Sequence, residues 1–350
     1  MTVVVRADAG VELGTGHIVR CSALLRRLGI EPASVVLVTG SLTPGIRGLV
    51  DSIGWRVRTI EGSAEEESDA RATIDIIEAI GDVELLVVDH YRLGAAWENR
   101  VRGSIGRLVV IDDLANRPHS CDVLIDPTLD EVGSDRHAEA VVTTARLLGP
   151  RFALLDPAYD SWKQRERHGQ IRSWLVYLGG ATCAADVIPL VTAFREINSP
   201  GVTLTLTLVL GQAFVGAEEV RLLSDPLGGV WILDWTDQMP ALLTEADCAI
   251  GAPGGAQWER CALGVPTLTV LTAENQEHDA QAFESAGTTR HLGPLAEMTV
   301  ERWRSAFKWA LANPDEVASM SQAATKITLH RGDAWRNASL IILGLDGVKK

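Results

Sequence analysis

Cysteine is scarce and unpatterned in this chain: Cys21, Cys121, Cys183, Cys248 and Cys261 are odd in number, scattered, and never spaced as C-x-x-C. That argues against a disulfide framework and predicts buried free thiols. No apolar run reaches the roughly 18 residues that a membrane span needs. The N-terminal TVVVRADAG reads as a strand and lacks the basic segment, apolar run and small-residue cleavage site of a secretory signal, so the expected location is a bacterial-type cytoplasm. Positive charge is also in short supply, with 32 Lys and Arg against 46 Asp and Glu and a formal net charge of −14. A general affinity for nucleic acid or an anionic membrane needs a positive field, so neither partner is expected. A small anionic ligand stays possible, because backbone N–H groups at a helix N-terminus bind phosphate without a basic surface. Low-complexity segments are absent, and 46% hydrophobic with 22% charged residues is a globular balance.

The 350 residues suit two domains of about 150 residues with a C-terminal extension. Short apolar runs at 2–8, 34–40, 55–62, 83–90, 107–113 and 122–127 read as parallel strands, and 17–29, 64–80 and 94–104 have helical spacing. Residues 146–172 break that rhythm with Pro150 and Pro157 and then become highly polar, the signature of a connection. A second series of strands follows at 173–180, 202–211, 229–235, 247–255 and 265–271. Beyond 295 the pattern is helical, with Trp303, Phe307 and Leu311 expected to pack as one core stripe. The expected fold is α/β, two tandem Rossmann-like βαβ domains with a cleft between them and a helical C-terminus. The domains run 1–150 and 173–350, joined by 151–172.

In parallel α/β sheets the ligand lies beyond the carboxyl ends of the strands. After the first strand comes Asp8-Ala9-Gly10-Val11-Glu12-Leu13-Gly14-Thr15-Gly16-His17. Gly14 and Gly16 let the backbone approach a ligand, and His17 opens the helix. A dinucleotide fingerprint would need a third glycine at Val19 and an acid where Thr39-Gly40 stand, so NAD is not expected. His17 reads equally as an ordinary histidine or as a base, since the partial positive charge of a helix N-terminus disfavours imidazolium. Asp89, beside His90 and Tyr91, ends another strand and reads as either a loop cap or a site carboxylate.

In the second half, Gly179-Gly180 and Ala252-Pro253-Gly254-Gly255-Ala256 are glycine turns suited to a diphosphate. Glu259 stands one turn into the following helix, placed either to hold ribose hydroxyls or to complement the helix dipole. Glu274-Asn275-Gln276 is a third polar cluster at a strand end. No H-E-x-x-H, His/Cys cluster or G-x-S-x-G occurs, and Asp112-Asp113 reads as a cap or turn more readily than as a metal site. Neither a metal nor any other cofactor is expected.

The ordered blocks RADA with GTGHIVRC, VVDHY with a Trp six residues on, VIDDLANRPHSCDVLID, LLGPRFALL, LGGA and WERCALGVPTLTVLTAENQ occupy most of residues 3–293. Together they resemble the UDP-2,4-diacetamido-2,4,6-trideoxy-β-L-altropyranose hydrolase family of pseudaminic acid biosynthesis. The resemblance implies a glycosyltransferase-B-like fold, related to the enzyme that adds N-acetylglucosamine to lipid I but used for hydrolysis. It implies that water attacks the anomeric carbon with inversion and that UDP leaves. It further implies catalytic roles for His17, Tyr91 and Asn275, and a ribose-holding role for Glu259. The glycine turn departs from the family, whose usual Ala-Gly-Gly-Ser-Thr is replaced here by Ala252-Pro253-Gly254-Gly255-Ala256. Pro253 has no N–H, and Gly255 and Ala256 lack two hydroxyls, which leaves base and sugar open.

The expected substrate-binding set is therefore Gly14, Gly16, Asp89, Gly179, Gly180, Gly254, Gly255, Ala256, Glu259 and Gln276, in a monomer or weak homodimer. Two other readings remain: a transferase of the same fold, and a sugar-nucleotide-binding protein without turnover. The first would need an acceptor-binding patch in the N-terminal half, and none is obvious in the sequence.

Overall fold

The computed structural model describes all residues except 11–12, 61–64, 130–135, 138–140, 180–181, 199–203, 329–330 and 346–350. The chain forms two compact units, residues 1–157 with 330–350, and residues 158–329.

In the first unit, β1 (Val3–Ala7), β2 (Val35–Thr39), β3 (Arg56–Thr59), β4 (Leu85–Asp89), β5 (Arg107–Ile111), β6 (His119–Asp126) and β7 (Val141–Leu148) form a parallel sheet of order β3-β2-β1-β4-β5-β6-β7. The Val- and Leu-rich β1, β2 and β4 are buried at every position. Burial on both faces removes the need for polar alternation. Side-chain alternation still sorts the faces. Val3, Val5 and Leu37 pack with Ile18 and Leu24 of α1 (Gly16–Arg27) and Ile46 and Leu49 of α2 (Pro44–Ile53). Val4, Val36 and Val88 pack with Ala70 and Ile77 of α3 (Glu66–Ile80) and Trp97 and Val101 of α4 (Ala95–Val101).

In the second unit, β8 (Ser173–Tyr177), β9 (Thr205–Val209), β10 (Val230–Leu233), β11 (Cys248–Gly251), β12 (Thr267–Leu271) and β13 (Thr289–Pro294) are parallel in the order β10-β9-β8-β11-β12-β13. Its helices are α5 (Ala184–Ile197), α6 (Ala217–Arg221), α7 (Met239–Glu245), α8 (Gly255–Ala262), α9 (Glu277–Ser285), α10 (Val300–Ala312) and α11 (Pro314–Ile327). Each sheet places its first strand beside its fourth, β1 beside β4 and β8 beside β11, so the connections leaving those neighbours run in opposite directions. Such a switch point opens a crevice at the carboxyl ends of the strands. Both Rossmann-like units and the helical C-terminus follow the expected fold.

Several particulars differ from the sequence reading. The final helix, α12 (Arg331–Leu343), was expected with the second domain but belongs to the first unit. There Trp335, Ala338 and Ile342 join its core, and Phe152 meets Trp335 edge-on at 6.1 Å.

Residues 151–172 are not a bare connection. Phe152 is buried in the first core and Tyr159 in a second-unit cluster, so the chain passes between units at 157–158. The polarity that suggested a linker is partly Arg167, buried with its guanidinium donating to the carbonyls of Leu243, Ala246, Leu263 and Gly264. Those acceptors lie at helix ends, where carbonyls lack intrahelical partners. In α10, Trp303 and Phe307 are buried but Leu311 is 38% exposed, and Ala310 completes the core face instead. Four of the five thiols are buried, whereas Cys183 is half-buried at the start of α5.

Candidate active site

The loop after β1 is closed by reciprocal backbone bonds between Gly10 and Gly14, and Gly14 takes φ +68°, a left-handed conformation that glycine adopts without cost. The turn delivers His17 to the second position of α1, on the rim of the β1–β4 switch point. The ring is 5% exposed. Nδ1 lies 3.2 Å from the Asp8 carbonyl oxygen, which can only accept, so Nδ1 carries the proton and Nε2 the lone pair. Nε2 is buried, makes no hydrogen bond, and stands 3.9 Å from Asp89 Oδ1. Tyr91 meets the ring edge-on with centroids 4.5 Å apart. Burial, with a smaller opposing pull from Asp89 and a push from Arg20, lowers the His17 pKa below its ordinary 6.5.

Asp89 is fully buried at the end of β4, in register with Ala7 of β1. Arg20, one turn beyond His17, grips it with Nε and a terminal nitrogen, and uses the other terminal nitrogen to bond Asp113 just after β5. Asp113 is held below the usual carboxylate range: burial opposes ionisation, but Arg20 outweighs it. Asp8, whose carbonyl orients His17, is itself fixed. Its carboxylate accepts from Arg6 at 2.6 Å, from the Gly40 N–H at 3.0 Å and from His90 Nε2 at 2.9 Å. His90 Nδ1 accepts the Arg92 N–H at 3.1 Å, so Nε2 is the donor. Arg6 in turn bonds Asp69, which also accepts from Trp97 at 2.8 Å.

At the second switch point, β8 runs into Gly179 (φ +98°) and β11 into Ala252-Pro253-Gly254, with Gly255 opening α8. A Cβ at Gly16, Gly254 or Gly255 would meet no atom of the protein within 4 Å, so packing does not demand glycine there. Gly251 is different, because a Cβ would fall 2.7 Å from the Tyr177 carbonyl oxygen and 2.5 Å from Arg260. Ala256, Tyr177, Met239, Glu259 and Arg260 line a small pocket beside the turn. The Tyr159 hydroxyl donates to Glu259 Oε2 at 2.8 Å. Burial, reinforced by Glu259, raises the Tyr177 phenol to about 12, and burial brings Arg260 down to about 10. Arg260 braces the turn by donating to the Ala252 carbonyl and to Gln257. Asn275 is exposed in a short turn after β12, and the Gln276 side chain accepts from the Thr272 N–H at 2.9 Å.

The structure thus brings His17, Asp89, Tyr91 and the Gly14–Gly16 loop together in the first unit. Gly179, Gly254, Gly255, Ala256 and Glu259 border the switch point of the second, and Asn275 with Gln276 stands on the neighbouring strand end. Gly180 lies outside the described residues. Arg20 beside His17 and Tyr159 under Glu259 escaped the sequence reading, Asp8 was named there only as the start of the loop, and Asp113 was read as a cap or turn or a weak metal candidate. Arg20 had a signal, its helical i, i+3 spacing from His17.

Asp112, read with Asp113 as a cap or a weak metal candidate, has committed bonds. It accepts the Ala115 N–H at 3.0 Å and Arg117 at 2.8 Å, and stands 3.3 Å from His119 Nε2. Glu98 faces the other ring nitrogen of His119, and all three side chains are buried. Burial alone would lower the His119 pKa, but Asp112 and Glu98 outweigh it and raise it to about 9. A group with a raised folded pKa contributes stability that is complete below its unfolded pKa of about 6.5 and disappears as pH rises through the folded value. Urea titrations are therefore expected to show the protein losing on the order of 3 kcal/mol between pH 6.5 and 9.5. His119→Gln should be less stable at pH 6 and flatten that slope; an unchanged slope would show that His119 is not the titrating group.

No family model matches the chain. Over 342 residues it is 23% identical to the spore coat polysaccharide biosynthesis protein SpsG of Bacillus subtilis, covering 95% of this chain and 93% of that one. Over 137 residues it is 26% identical to the UDP-2,4-diacetamido-2,4,6-trideoxy-β-L-altropyranose hydrolase of Campylobacter jejuni, covering 39% of this chain and 44% of that one. Among solved structures, MurG of Acinetobacter baumannii superposes with a TM-score of 0.61 at 17% identity, over 96% of this chain and 99% of that one. A UDP co-structure of MnaA from S. aureus gives 0.57 at 13% identity, over 100% and 99%. These likenesses establish a glycosyltransferase-B-like fold.

Proposed function

We propose that this chain is an enzyme acting on nucleotide-activated sugars, which hydrolyses a UDP-type amino or deoxy sugar at the anomeric carbon with inversion. The observation that carries the reading is His17, a neutral imidazole whose Nε2 lone pair has no hydrogen-bond partner among the described residues, at a switch-point crevice. In the proposed step a water oxygen attacks the anomeric carbon opposite the diphosphate and gives a proton to Nε2. The bond from that carbon to the diphosphate oxygen breaks with its electron pair leaving on UDP, and a single displacement inverts the centre. The imidazolium forms beside Asp89, while Tyr91 flanks the ring. In the second unit, the opening turn of α8 presents backbone N–H groups of the kind that stabilise a diphosphate. The names of the Campylobacter hydrolase and of the UDP co-structure support the substrate class.

A second reading is transfer of the sugar to an acceptor hydroxyl with the same base. It is favoured by a relative that covers most of the chain, a polysaccharide biosynthesis protein. Incubating the protein with a panel of UDP-activated amino and deoxy sugars, without acceptor, separates the two. Release of UDP with an inverted free sugar, followed by 31P and early-time 1H NMR, is the expected result. Release only after an acceptor glycan is added would establish transfer, and binding without release would leave a binding protein. Activity is expected to survive exhaustive EDTA, because Asp112 and Asp113 are already engaged by Arg117, His119 and Arg20. Loss restored by Mg²⁺ or Mn²⁺ would overturn that.

A further inference from the structure

Three ionised side chains from three different elements form one cluster, whose Asp89 stands 3.9 Å from the proton-accepting Nε2 of His17. Asp89 ends β4, Arg20 lies on α1 and Asp113 follows β5. Arg20 is 16% exposed and Asp89 not at all, so neither charge is left to water. All the Arg20 nitrogens face carboxylates: Nε and one terminal nitrogen span both Asp89 oxygens, and the other terminal nitrogen takes Asp113. A planar fork can do this and an ammonium cannot. Among the described residues, three further groups stand around this cluster and the ring. The Cys21 thiol faces Asp89 at 3.8 Å and is kept protonated by burial, Tyr91 presents a ring edge, and the Asp8 carboxylate accepts from Arg6, which it shares with Asp69, from Gly40 and from His90. Within the cluster of Asp89, Arg20 and Asp113, two carboxylates and one guanidinium leave one negative charge.

We propose that Arg20 and Asp113 are positioning residues for His17: Arg20, anchored by Asp113, pins Asp89 against Nε2 and trims the local charge to a single negative unit. This rests on the reading of His17 as the base. Without Arg20 the two carboxylates would hold a proton on His17 and disable it as an acceptor. Without Asp113 the cluster would be neutral, and the imidazolium formed in the reaction would have no net counter-charge.

The two removals act in opposite directions, which a merely structural role would not produce. In protein labelled with ¹³C at histidine Cε1, with the His17 resonance assigned by its loss in His17→Gln, Asp113→Asn is expected to lower the His17 titration midpoint and Arg20→Gln to raise it, each by about one pH unit. Arg20→Lys keeps the charge but loses the fork. It should leave the midpoint within about half a unit while lowering kcat at least tenfold with little change in KM. Shifts of the same sign in Asp113→Asn and Arg20→Gln, or none in either, would overturn the proposal. If Arg20→Gln does not fold, Asp113→Asn and Arg20→Lys decide it. The titration needs no turnover, so a protein that shows these shifts but releases no UDP refutes the base reading and leaves the charge arrangement standing.

Discussion

His17→Gln is expected to lower turnover by about 10²–10⁴-fold while changing the affinity for UDP by less than about twofold. The role proposed for the side chain is to take the proton from water, whereas the glycine turn and Glu259 are proposed to hold the nucleotide, so losing the imidazole removes a proton acceptor. The pH profile gives a sharper form of the same expectation. Burial depresses the His17 pKa below 6.5, and the base works only when neutral. The native kcat should therefore be flat through neutrality and fall only as pH drops through that lowered value, with an acid limb below 6.5 that His17→Gln abolishes. The sign for stability agrees, since a histidine buried neutral helps folding fully above 6.5 and loses that contribution at lower pH as the unfolded chain takes up the proton. A variant with near-native turnover, or a native acid limb above 6.5, would exclude His17 as the base.

What made His17 legible was local: a glycine loop after an apolar strand, then a helix start. The same logic found Asp89, the 252–256 turn and both series of strands, because parallel strands buried on two faces announce themselves as apolar runs. Which side chains would join one another beside His17 was not legible. Arg20, Asp89 and Asp113 are 69 and 93 positions apart in the pairs that Arg20 makes, and only the β1-β4-β5 strand order brings them together. Composition misled in one place. The polar stretch before β8 looked like a mere connection, yet Arg167 is buried there on carbonyls and Tyr159 reaches Glu259. The edge strands β7 and β13 were also missed; in β13, Thr289–Pro294, the one large apolar residue is Leu292. Helix α12 could not be assigned to a unit from its own sequence, since an amphipathic helix records that it packs but not on what.

Glu259→Ala is expected to weaken UDP binding by roughly 10–100-fold, because a hydrogen bond to a charged group contributes about 1.5–3 kcal/mol and 1.4 kcal/mol is a factor of ten. The carboxylate stands one turn into α8 beside the small pocket, steadied by the Tyr159 hydroxyl at 2.8 Å. Tyr159→Phe should therefore produce a smaller loss of the same kind, by freeing Glu259 to move. The turn itself is expected to respond in the opposite direction. A side chain at Gly255 would meet no atom within 4 Å, and Ala256 already carries a Cβ, so Gly255→Ser with Ala256→Thr should fold normally. The two new hydroxyls at the start of α8 can each contribute roughly 0.5–1.5 kcal/mol to a diphosphate, so the double variant should bind UDP about 5–100-fold more tightly. Calorimetric titration of UDP, CDP, GDP and dTDP against the native protein, Glu259→Ala and the double variant reads all of this together. Equal UDP affinity in native protein and Glu259→Ala would remove the carboxylate from the nucleotide site. Should UDP bind neither the native protein nor the double variant while another nucleotide binds the native one, then Pro253-Gly254-Gly255 marks a changed base specificity, and the uridine half of the proposed substrate is wrong.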